Sequence, residues 1–541
     1  MVRTPLAIAI LVAATLAAGT EAKAYVCGSR YLVENPERAC LPLGKPVHTV
    51  KSAADIQVGT RLDFPVATQV LLRSATCRQR GDHCYVFVED GQWDTDGGPI
   101  LQRDVDGLVN LFEKSTPADP DRGIRALADE TLGPPPDVDN DPRIFILLLN
   151  LTDPNLVGFF DSRVATWPDP ALRRDVICLD TGFLYTNSNL VRGTLAHEYQ
   201  HLVQWGHDPD EETWINEGLS GYAEELAGYP EADPAMVPAF LAYPELNLTL
   251  WPSRATSANY GETYLYASFM AERYGREFIR ALVSEPRNGI AGIEGALAAV
   301  GKARSFQATW EDWLVGNCAG SDPVLGYTAL RGRTAATIEA PDLPFVHLGA
   351  GLNYQWGALN VLFRHRGALS TDLEAEAAGL FTLLGYAHQG GAGTRVDGVV
   401  DADGTVRLTT TQVDSLVLIV GRVAPQGTQF WLSARPVVPT WVTGADLPAR
   451  PVELGAAYPN PFNGQIQVPF TLDAASPVQV AVLDGLGRQV RQLAAGYWPA
   501  GAHHLTWDGC DDRGHAVASG TYLVCLTLGP RRQTVRLTLA R

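Results

Sequence analysis

The sequence predicts an α+β domain followed by β-sandwich domains. Three observations carry that prediction. Strand-like runs give way to helical periodicity between about residues 190 and 320. After about residue 340 the pattern changes to short alternating apolar runs separated by Gly and Asp. The chain has 541 residues, too many for one core, and 46% hydrophobic with 19% charged residues suits folded globular domains.

The elements follow in chain order. Arg3 begins a basic start, Leu6 to Ala18 is apolar, and Ala22-Lys23-Ala24 matches a small-residue cleavage site. Residues 1–24 therefore read as a secretory signal peptide, with Tyr25 the first mature residue. The apolar run is short for a bilayer span of about 20 residues. The expectation is a secreted or cell-surface protein with no membrane span after cleavage. The eight cysteines suit an oxidising compartment. Cys27 with Cys40 and Cys77 with Cys84 are close in sequence, Cys510 and Cys525 could form a third bridge across neighbouring strands, and Cys178 and Cys318 are left over; the even count suggests disulfides but leaves their connectivity open. None lies in a C-x-x-C pair, which speaks against a cysteine zinc site. The net charge of −18 sets aside nucleic acid and anionic membranes as partners.

Residues 25–120 read as strand-rich, with Leu71–Arg73 and Tyr85–Val88 as strands. Asp137 to Pro142 is acidic and lacks the Gly and distal Glu of an EF-hand, so a turn is preferred to a calcium loop. Ile144–Leu149 is a buried strand. Helices are expected over Leu190–Trp205, capped by Asn187 or Ser188, and over Thr213–Ala227, Tyr260–Tyr274, Phe278–Val283 and Phe306–Val315. Residues 341–440 form a β-rich domain, with strands such as Ala358–Phe363 and Ser415–Val420. A proline-rich linker over Pro436–Pro451 leads to a last module, 452–541.

His197-Glu198-Tyr199-Gln200-His201 lies inside the first of these helices. Residues four apart share a helical face, so both imidazoles reach one cation. Glu198 adjoins the first ligand, where it meets a water that needs both a lowered pKa and a base. Two neutral imidazoles with a carboxylate favour Zn2+ over magnesium or calcium. A third protein ligand is required. The candidates are Glu217, in Trp214-Ile215-Asn216-Glu217-Gly218-Leu219-Ser220, and His207. His207 has metzincin spacing, but that pattern needs a glycine where Gln204 stands, and neither Met236 nor Met270 has the surroundings of a Met-turn. Glu217 is preferred.

H-E-Y-Q-H followed by W-I-N-E-G-L-S-x-Y-A-E resembles the gluzincin clan, and within it the hyicolysin-type secreted bacterial peptidases. The likeness runs from about Asp137 to Gly320 and is sharp between Gly193 and Glu225. It implies a zincin-type metallopeptidase domain over 25–340 acting on protein or peptide substrates. In that domain His197, His201 and Glu217 bind zinc and Glu198 is general base. Glu224 matches the position that accepts a hydrogen bond from a ligand histidine, in keeping with the outer partners that ligating imidazoles need. Two departures stand out. Only 15 residues separate His201 from Glu217, fewer than in thermolysin-like members, and the G-x-M-E-N exopeptidase motif is missing before the zinc helix. The second points to an endopeptidase. Tyr260, Tyr264 and Tyr266 are candidates for stabilising the oxyanion, Tyr260 foremost, although packing accounts for such helix aromatics more simply. The other class of reading is a surface-binding protein on an inactive peptidase scaffold.

The last module contains Tyr458-Pro459-Asn460-Pro461-Phe462-Asn463, Asp484-Gly485-Leu486-Gly487-Arg488, Thr506-Trp507-Asp508-Gly509 and Gly520-Thr521-Tyr522. Short strands, glycine turns and a buried Trp507 make a sandwich. It resembles the immunoglobulin-like modules that end many exported bacterial proteins, related to type IX sorting and flagellar hook-capping domains. The resemblance implies sorting or surface attachment, although the Leu-Ala-Arg ending departs from the lysine-rich tail of type IX cargo.

Overall fold

The structure is a computed structural model that describes residues 48–49, 55–66, 72–436 and 453–541, less short stretches at 154, 168, 170–171, 231, 253–255, 341–344, 350–353, 365–366, 376–378, 402–403, 426–429, 474–475, 485–487 and 529–530. The expected signal peptide, Cys27, Cys40, Leu71 and nearly all of the proline-rich linker lie outside the described residues. The chain divides into two compact units. The first takes the described residues through His207 and within Ala223–Met236 and Ser253–Ser257; the second takes Asp208–Tyr222, Val237–Pro252 and Ala258–Arg541.

The first unit is built on a six-stranded mixed sheet of β1 (Arg61–Phe64), β2 (Arg73–Arg80), β3 (Cys84–Glu89), β4 (Ile144–Leu149), β5 (Gly158–Phe160) and β6 (Val176–Asp180), in the order β1-β2-β3-β4-β6-β5. β3, β4 and β6 pair in parallel, and every residue in them is buried. Parallel strands are covered on both faces, which is why CYVFVE, IFILLL and VICLD read as apolar runs rather than alternations. The crossover from β3 to β4 carries α1 (Gln102–Glu113) and α2 (Ile124–Thr131). α1 buries Val105, Leu108, Val109, Leu111 and Phe112, the spacing of a helix lying on a sheet. Phe64, Tyr85, Phe87 and Phe145 pack with ring centroids 5.1–6.4 Å apart.

β5 and β6 support α3 (Ser188–His207), which is buried almost all round from Leu190 to Gln204. Asn187 Oδ1 accepts from the Leu190 amide at 3.4 Å and caps α3, the first of the two caps expected. α4 (Thr213–Leu226) follows close to its expected bounds. The two helices expected over 260–283 are one element, α5 (Ser257–Val283), interrupted at Gly275, where φ is 83° and ψ 173°. Only glycine adopts that conformation without strain. α6 (Phe306–Ala319) runs one turn further than its apolar pattern suggested.

Residues 338–436 form two five-stranded sheets around a core that includes Val361, Leu369, Leu383, Leu418 and Phe430. Trp310 of α6 donates from Nε1 to the Trp356 carbonyl at 3.1 Å, tying α6 to this sandwich. Residues 453–541 form a three-stranded and a four-stranded sheet, with Trp507 fully buried against Phe462 and Tyr522. No helix among the described residues is long and apolar enough to cross a membrane.

Cys77, Cys84, Cys178, Cys318 and Cys510 are free thiols, so neither Cys77–Cys84 nor Cys510–Cys525 is bridged; Cys27 and Cys40 lie outside the described residues. On the β2–β3 ladder Cys77 stands opposite Phe87, so Cys84 lies three residues along the strand from the cross-strand position. Cys525 sits in a central strand, opposite Ala481 on one side and Thr534 on the other, while Cys510 lies in the turn after Trp507. All the described cysteines but Cys510 are buried, where a thiol packs as a small apolar group.

Candidate metal centre

The centre grows from one turn of α3. His197 and His201 stand one above the other, ring centroids 4.9 Å apart and planes at 77°. His197, Glu198 and His201 are all buried, and each offers one ligand atom within 4.8 Å of the other two. Of the sites expected from sequence, these three are brought together as expected.

Two contacts fix the orientation of the group. His197 Nδ1 lies 2.8 Å from Glu224 Oε1 of α4, a buried pair in which the ring N–H donates to the carboxylate. That bond sets the tautomer and turns Nε2 to the opposite side as the lone-pair donor. Glu198 Oε2 accepts from the Phe160 amide at 3.0 Å, so the end of β5 fixes how the carboxylate is rotated. Phe160 also packs against Trp205 at 5.8 Å, holding β5 to the helix that carries the motif.

Two glycines allow these close approaches. A Cβ on Gly193 would lie 2.8 Å from Ala232 Cβ and 3.4 Å from Glu224 Oε2. A Cβ on Gly158 would lie 2.8 Å from both the Cys178 carbonyl and Thr194 Cγ2. The helix can therefore meet β5 on one side and the segment carrying Glu224 on the other only because both positions lack side chains.

The remaining candidates are placed as follows. Glu217 is buried on α4, seven residues before Glu224 and so nearly two turns away on one face; it belongs to the second unit. Tyr260 is buried on α5, also in the second unit, and meets Trp251 edge to face at 5.0 Å. Tyr264 is buried, and Tyr266 shares a hydrogen bond with Thr309 at 2.8 Å. His207 is not brought into the His197 group: its Nε2 sits 3.0 Å from the Pro134 carbonyl at the exposed end of α3. Sequence reasoning missed Phe160 and Gly158. Phe160 acts through its backbone amide, 38 residues from Glu198, and no motif records such a contact. Gly193 was visible at the edge of the motif, but its role depends on Ala232.

The FlgD Ig-like domain model matches residues 459–528. No curated protein matches the chain. Similar solved structures include the alkylpurine DNA glycosylase AlkC of Pseudomonas fluorescens, at 18% identity over 17% of this chain and 30% of that one, with a TM-score of 0.14. PorZ of the type-IX secretion system of Porphyromonas gingivalis is 16% identical over 27% of this chain and 15% of that one, with a TM-score of 0.13. Latent PorU from Porphyromonas gingivalis is 12% identical over 33% and 18%, with a TM-score of 0.15. The chain thus spans less than a third of each, and scores this low carry no argument about fold or activity.

Proposed function

We propose that this chain is an exported zinc-dependent endopeptidase whose last module serves sorting or surface attachment. The observation that carries the reading is the buried His197-Glu198-His201 group with Glu224 on His197 Nδ1. Two buried imidazoles four residues apart, one of them oriented by Glu224, fit a borderline cation such as Zn2+. Glu217 completes the donor set in this proposal. Zinc, when bound, supplies Lewis-acid polarisation of the scissile carbonyl and acidifies water.

The chain's own residues do the proton work. Glu198 takes a proton from the attacking water as the water oxygen bonds to the carbonyl carbon. It then returns that proton to the amide nitrogen as the C–N bond breaks. Its bond to the Phe160 amide keeps the carboxylate aimed during both transfers. Tyr260 is the proposed donor to the developing oxyanion.

The test is casein turnover by the purified chain, with and without chelator, alongside Glu198→Gln. Turnover that needs the metal and is lost in Glu198→Gln supports the proposal. Full turnover in Glu198→Gln refutes it, and zinc binding with no turnover of casein or an unbiased peptide library would leave a binding scaffold in its place.

A further inference from the structure

The acidic segment before β4 reads in sequence as a simple turn, but it has company in space. β4 and β6 are parallel partners with Phe145 opposite Val176, and the Phe145 amide donates to the Asp175 carbonyl at 2.8 Å. The residue before β6 is thereby set beside the segment before β4. One carboxylate oxygen from each of Asp137, Asp139 and Asp175 lies within 4.8 Å of the other two.

The buried oxygens say more than the clustering does. Asp175 is 1% exposed. Its Oδ2 accepts from the Val138 amide at 3.0 Å, while its Oδ1 is buried with no hydrogen-bond donor among the described residues. Asp139 is similar: Oδ1 accepts from the Asp141 amide at 3.2 Å, and Oδ2 is buried without a donor, with Arg174 Nε 3.7 Å away. A buried carboxylate oxygen left without a donor is costly. Asp141 belongs elsewhere, bound to Arg143 at 3.0 Å and Tyr85 at 2.7 Å. Among the described residues the cation beside these three carboxylates is the Arg174 guanidinium, 3.7 Å from Asp139 Oδ2, which leaves the cluster short of positive charge.

We infer that Asp137, Asp139 and Asp175 form a second, oxygen-only cation site that takes calcium. Zinc prefers nitrogen and sulfur donors, and magnesium demands a near-ideal octahedron. Calcium accepts an irregular set of six to eight oxygens, which backbone carbonyls and water can complete. Asp137 is exposed and gives the ion its way in; Asp175 anchors it to the sheet. The site would tie the 137–142 turn to the start of β6 and stabilise the first unit without taking part in catalysis.

Thermal melts of the full chain with and without calcium test this. At about pH 7.5 and about 5 mM calcium, a midpoint rise of roughly 5 °C is expected. Asp137→Asn and Asp175→Asn should each lose most of the rise, and His201→Ala should keep it. No rise in the parent chain, a rise that survives both aspartate variants, or one that disappears in His201→Ala would overturn the inference. Should Asp175→Asn fail to fold, calcium titration calorimetry on Asp137→Asn decides. Loss of one site per chain supports the inference, and unchanged stoichiometry rejects it.

Discussion

His197 Nδ1 and Glu224 Oε1 meet at 2.8 Å across 27 residues of sequence, joining α3 to α4 through one buried hydrogen bond. If that bond orients a metal ligand, Glu224→Ala should leave the helices folded and weaken zinc binding by roughly 10–100-fold. Competition against a zinc-selective chelator reads this directly. Unchanged affinity in the variant would show that His197 needs no partner to bind.

Glu198→Gln separates chemistry from binding. The amide oxygen can still accept from the Phe160 N–H, so the local fold should hold. The neutral side chain cannot take a proton from water, and kcat should fall by roughly 10²–10⁴-fold with zinc content unchanged. Metal analysis beside steady-state kinetics checks both halves. A fall in activity that merely tracks lost zinc would make Glu198 structural.

Gly193→Ala tests the packing that brings α4 to α3. The new Cβ would lie 2.8 Å from Ala232 Cβ and 3.3 Å from Tyr229 Cβ, so the segment after α4 must move. A cost of about 1–3 kcal/mol is expected from this overpacking, together with weaker zinc binding as Glu224 shifts. Chemical denaturation and the chelator competition measure the two effects. A fully stable variant with parental affinity would show that the approach tolerates a methyl group.

The legible parts of this molecule were those encoded locally. Ile144–Leu149 declares itself as an uninterrupted apolar run, and it is a strand with those bounds. His197 and His201 declare themselves by spacing, because four residues return to one helical face. Glu224 was singled out through the W-I-N-E pattern, and it meets His197 Nδ1. The cysteines misled because nearness in sequence is not cross-strand register. The β2–β3 ladder carries an irregularity between Cys77 and Gln79 that no spacing rule anticipates. The Asp137 cluster was hidden for a related reason: its third carboxylate arrives through the parallel pairing of β4 with β6.

Glu211 yields a prediction about pH. It is buried in the second unit, where its Oε1 accepts from the Gly289 amide at 2.9 Å. Burial is the main cause that pushes its carboxyl up to about 7, against an ordinary value of 4.5. The unfolded chain therefore ionises Glu211 first as pH rises, while the folded chain still holds the proton. Stability from this group is fully present below about pH 4.5 and is lost as pH rises through about 7. Glu211→Gln cannot ionise and can still accept from Gly289, so it escapes that loss. Relative to the parent, the variant should gain on the order of 2 kcal/mol between pH 5 and pH 8. Urea unfolding followed by tryptophan fluorescence at the two pH values measures the gap, since Trp214 is three residues away and buried. A gap of equal size at both would mean that Glu211 titrates like an exposed carboxylate.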